Sequence, residues 1–74
     1  MGTLEIEQIA RGVVREYALS LTVHEVSLVE PDRCTIGFTD RHTGAATTIG
    51  VSCGTRTSRH HFRESLKRRL DISD

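Results

Sequence analysis

Tryptophan is absent from this chain, and its aromatic side chains amount to one tyrosine and two phenylalanines. A sheet surface that stacks bases on aromatic rings, the usual route to single-stranded nucleic acid, is therefore disfavoured. The core must rest on Val, Ile and Leu. Long apolar stretches are missing too: no run exceeds three residues, whereas a membrane-crossing helix needs about 20. Two cysteines are too few for a disulfide-stapled secreted scaffold. The Met-Gly-Thr-Leu-Glu start lacks the basic segment and apolar block of a secretory signal. The expectation is a cytoplasmic chain with reduced thiols. No phosphate-binding Walker pattern occurs, and no paired Cys or His spacing of a zinc site. No cofactor and no metal is expected.

What remains is a small globular composition, 36% hydrophobic and 27% charged over 74 residues. Residues 1–74 read as a single domain near the lower size limit for independent folding. A core of this size leaves only about 3–5 kcal/mol of stability, so a homo-oligomer is a natural support. Net charge is zero but uneven. Residues 1–30 sum to −3 and residues 31–74 to +3, with six bases between Arg56 and Arg69. Such asymmetry marks either an anionic partner or two halves, or two subunits, that attract each other.

Ile6, Ile9, Ala10, Val13, Val14, Tyr17, Ala18 and Leu21 fall on one face of a helix. Thr3 is positioned to cap it, and Glu7 stands four residues before Arg11 for a favourable pair. Gly12 is unfavourable within a helix, or permits a close approach. Val23 to Val29, Arg33 to Thr39 and Thr48 to Cys53 alternate or are rich in β-branched residues, with turns at Glu30-Pro31-Asp32 and at Arg41-His42-Thr43-Gly44. Placing apolar side chains on one face gives Leu28 opposite Cys34, Val26 opposite Ile36 and His24 opposite Phe38. Across the next pair it gives Cys34 opposite Cys53, Ile36 opposite Val51 and Phe38 opposite Ile49. A final helix from about Ser58 to Leu70 carries the stripe Phe62, Leu66, Leu70, with Thr57 or Ser58 as its cap.

The expected fold is α+β: a two-layer α-β-β-β-α domain, two helices on one face of a three-stranded antiparallel sheet. The other sheet face is small and polar, free to meet water or a partner. The turn Glu30-Pro31-Asp32-Arg33 and the helix start Arg59-His60-His61-Phe62-Arg63 stand where double-stranded-RNA-binding domains carry a Gly-Pro-x-His-type loop and a Lys-Lys-x-x-Lys-type helix start. The element order resembles that family, in which the second helix start rests on phosphates. The first stretch here is shorter and acidic and the second less basic, so the resemblance implies topology alone.

Three functional readings follow. The first is a small non-enzymatic binding module. It reads an anionic partner, nucleic-acid phosphates or an acidic protein surface, with Arg56, Arg59, His60, Arg63 and Lys67 at the start and along one side of the last helix. The second is a protein–protein module that forms a homodimer or docks a partner through the open sheet face. There the basic helix would meet an acidic surface such as the Glu-rich first helix of a neighbour. The third is a thiol or metal site at Cys34, Cys53 and His61. The competing reading of each is ordinary: a solvated helix face, and two small thiols filling the core.

Overall fold

The apolar spacing of the first segment is helical only as far as Glu16, and the reason lies in one residue. In a computed structural model that describes residues 2–54 and 57–72, α1 spans Thr3–Glu16. Ala18 takes φ 51°. Its N–H bonds to the Arg15 carbonyl at 3.3 Å and the Leu19 N–H reaches back to Val14 at 2.9 Å. This is a Schellman closure, with alanine where glycine is commoner. Leu21, read from spacing as helical, instead opens β1 (Leu21–Glu30). At the other end Gly2, not Thr3, is the N-cap, with no side-chain bond.

β1, β2 (Arg33–Asp40) and β3 (Ala46–Ser52) form an antiparallel sheet with β2 central, and α2 (Arg59–Arg69) closes the chain. α1 packs on β1, α2 on β3, and the helices touch. Each element contributes its apolar side to one core. It comprises Ile6, Ile9, Ala10 and Val13 from α1, Val23 from β1, Cys34, Ile36 and Phe38 from β2, Val51 and Cys53 from β3 and its exit, and Phe62 and Leu66 from α2. Burying a side chain such as Ile, Leu or Phe stabilises by about 1.5–3 kcal/mol each.

Two expected registers change. Leu28 does pair with Cys34 and Val26 with Ile36, but Val23, not His24, faces Phe38. A shift between Val23 and Glu25 inserts the extra residue, which turns His24 out to solvent and Val23 into the core. On the other side β3 sits two residues from the expected alignment: Cys34 pairs with Val51, Ile36 with Ile49 and Phe38 with Thr47. The turn decides this. Asp40 accepts from the His42 and Thr43 amides at 2.8 and 3.2 Å, its own N–H bonds to the Ala45 carbonyl at 2.8 Å, and Gly44 takes φ 74°. These amide bonds hold the Asp40 carboxyl below its ordinary range. The turn is thereby closed tightly and Thr39 meets Ala46. Because the shift is even, the same face stays buried.

Cys53 therefore lies beyond the ladder, and its N–H bonds to the Asp32 carbonyl at 2.9 Å. Gly54 follows where a Cβ would stand 3.1 Å from that of Asp32, so glycine permits the crossing. Gly12 is different: nothing lies within 4 Å of an added Cβ. Gly12→Ala is expected to raise stability by about 1 kcal/mol, read as an upward shift of the chemical-denaturation midpoint.

Candidate functional site

The start of α2 is built by Ser58, whose Oγ accepts from the His61 amide at 3.1 Å. From there the helix presents its bases in a row, and the fold turns that row toward α1. Arg59 Nη1 meets Glu5 Oε1 at 3.0 Å. Arg63 Nη2 meets Glu16, whose hydrogen bond raises the Arg63 pKa. The Arg63 guanidinium also lies over Tyr17, 5.9 Å from the ring centroid. Lys67 is 5% exposed, with Nζ 3.1 Å from Glu64 and 5.1 Å from the centre of the Tyr17 ring. The acidic first helix and the basic last helix thus meet within one chain, where the sequence left open a meeting between neighbours.

Of the residues expected to read an anion, Arg59, Arg63 and Lys67 are engaged in this way. His60 is exposed, and Arg56 lies outside the described residues. The Arg59–Glu5 pair, largely in solvent, contributes up to about 1 kcal/mol. Phosphate at this face would have to displace Glu5 and Glu16. Cys34 and Cys53 are both buried and free. His61 is exposed, and no group of three or more metal-ligating side chains comes together among the described residues. Burial first, and then the hydrogen bond shared with Cys53, push the Cys34 thiol up to about 12.

Two other places gather cations. One is the outer side of β3. This edge strand reads Ala-Thr-Thr-Ile-Gly-Val-Ser with no charge, pairs with β2 without a register break, and makes no other backbone hydrogen bond among the described residues. A concavity beside it is lined by Gly50, Val51, Ser52, Ser65, Arg68 and Arg69. Neither arginine has an ion pair among the described residues. The other is a cleft of about 470 Å³ where α1 gives way to β1, lined in part by Arg11, Arg15 and Arg41. By sequence alone Arg11 is a partner of Glu7 along α1 and Arg41 belongs to a turn. Only the tertiary contact of that turn with residues 19–20 brings them together.

Compared with known proteins, the chain matches no family model, no curated protein and no solved structure. Among the described residues no helix is long and apolar enough to cross a membrane.

Lys67→Met is expected to change stability by less than about 1 kcal/mol, because the buried stem is kept and Glu64 is partly solvated. Lys67→Glu is expected to cost about 3 kcal/mol by burying an unpaired charge, and thermal melts of both variants check this. An unfolded thiol ionises near 9 while that of native Cys34 stays protonated to about 12. Its contribution to stability is therefore complete below pH 9 and declines between these values as the unfolded state sheds its proton first. Denaturation midpoints measured up an alkaline series should fall, and the fall should shrink in Cys34→Ala.

Proposed function

We propose that this chain is a small non-enzymatic binding module whose partner is an acidic protein segment, added in extended form along the outer edge of β3. The observation that carries the reading is the undefended edge. Edge strands are ordinarily guarded by charge, proline or a bulge. β1, the opposite edge, carries His24, Glu25 and Glu30 and two register breaks. β3 carries none of these. Its free backbone groups offer the main-chain ladder by which extended peptides add to sheets. The flanking Arg68 and Arg69 select for carboxylates in the added segment. A second copy of β3 would bring no acid to these arginines, which makes a homodimer the poorer occupant.

The nucleic-acid reading draws less support, because Arg59 and Arg63 already hold Glu5 and Glu16 and Lys67 is buried. The test is an amide NMR titration with a capped peptide alternating glutamate and threonine, and separately with duplex RNA. The peptide should shift and protect amides from Ala46 to Ser52. The double change Arg68→Glu, Arg69→Glu, on exposed side chains, should weaken it by about tenfold or more. Salt-sensitive RNA shifts confined to Arg59 through Arg63, with β3 unmoved by peptide, would reject the reading in favour of phosphate contacts. Protection of β3 that rises with protein concentration alone would reject it in favour of a homodimer.

A further inference from the structure

We infer that the cleft at the exit of α1 is a binding site for a small organic anion, a carboxylate carried on a compact apolar body. Its volume of about 470 Å³ falls within the range of about 300–1,000 Å³ usual for small-molecule sites. Three arginines line it, Arg11, Arg15 and Arg41, with no acidic residue among the lining residues. The concavity lined by Arg33 and Arg69 is of similar size, but Glu30 and Asp32 share it and no apolar side chain lines it. Val14, Leu21 and Val23 also line the cleft, all three belonging to the core or packed against it. Apolar surface beside arginines in one cleft fits a ligand with one charged end and one greasy end.

A helix C-terminus usually repels anions, because its last carbonyls are unpaired and carry partial negative charge. Here two of those acceptors are taken by the Schellman closure. The Val14 and Arg15 carbonyls accept from Leu19 and Ala18 at 2.9 and 3.3 Å. The Leu19 carbonyl accepts from Arg41 Nη2 at 3.0 Å. These bonds weaken the negative end of α1 on the side where the arginines stand. Arg41 is fixed twice, by that bond and by its own N–H to the Ser20 carbonyl at 2.9 Å, so one wall of the site is in place before any ligand arrives. One guanidinium N–H of Arg41 is used in this way, which leaves others of its five. Arg11 holds Glu7 at 2.8 Å. Arg15 has no partner among the described residues and is the side chain with most to gain. A planar carboxylate matches a guanidinium in two-point contact, while the apolar lining gives inorganic phosphate nothing to cover.

Benzoate is the first probe, followed by amide and arginine side-chain NMR, with benzamide and inorganic phosphate as controls. Benzoate should shift Ala18, Leu19 and Thr22, with a dissociation constant in the millimolar range or tighter. Benzamide should shift none of them, and phosphate should bind more weakly than benzoate. Arg15→Gln should weaken benzoate by about tenfold, and Arg15→Lys should recover only part of that. Equal shifts in Arg15→Gln, equal shifts with benzamide, or no shifts near Ala18 would each overturn the assignment. Because neither β3 nor Arg68 and Arg69 line the cleft, a failure here leaves the reading of the β3 edge intact, and the reverse.

Discussion

The turn that Asp40 closes fixes where β3 ends, and where β3 ends decides what α2 can touch. Asp40 gathers the His42 and Thr43 amides, and Ala45 and Gly44 complete the loop. With Thr39 set against Ala46, the ladder runs out at Ser52 against Arg33. Cys53 is left to bond with Asp32, and Gly54 slips past that same residue. The chain then reaches Ser58 in position to start a helix whose bases meet the acids of α1. Had the turn been looser by the two residues that alternation equally allows, Cys53 would have stayed in the sheet opposite Cys34. The exit toward α2 would then have begun elsewhere.

That dependence also explains what could be read from the sequence. Period-two alternation named the buried face of β2 correctly, since Cys34, Ile36 and Phe38 are all in the core. It could not distinguish registers that differ by two, because both keep that face inside. His24 fooled the same signal: a one-residue irregularity swaps faces, and nothing in Val-His-Glu announces one. The helical spacing of α1 ran on to Leu21 because Leu21 does pack against the core, only from a strand. The stop depends on Ala18 accepting a left-handed backbone, which alanine seldom does. The cap of α2, by contrast, was legible as Thr57 or Ser58, and Ser58 takes it, because a short hydroxyl before a helix has a local reason to be there.

The site was legible in its composition and not in its orientation. Arg59, Arg63 and Lys67 share one side of a helix by spacing alone. Whether that side meets water, a partner or the rest of the chain is a tertiary fact. The opposite charges of the two halves supplied the clue, and the fold answers it internally: Glu5 takes Arg59 and Glu16 takes Arg63. Tyr17 stands beneath both Arg63 and Lys67, so the first helix ends in a ring that accepts cations. The row that looked outward in sequence is a clasp between two layers.

Once that clasp is formed, the charge available to a partner is redistributed. The bases left without acids among the described residues are not those with the most regular spacing. They are Arg33, Arg68 and Arg69 around the β3 end of the sheet, and Arg15 and Arg41 beside an apolar cleft wall. The two places differ in kind. An edge offers a repeating ladder of backbone groups and suits an extended chain. A cleft with a few converging donors and an apolar side suits a single small anion. Pairing acids and bases internally thus does more than hold α2 against α1. By engaging Arg59, Arg63 and Lys67, it leaves unpaired positive charge elsewhere, most of it beside two surfaces whose shapes call for different ligands.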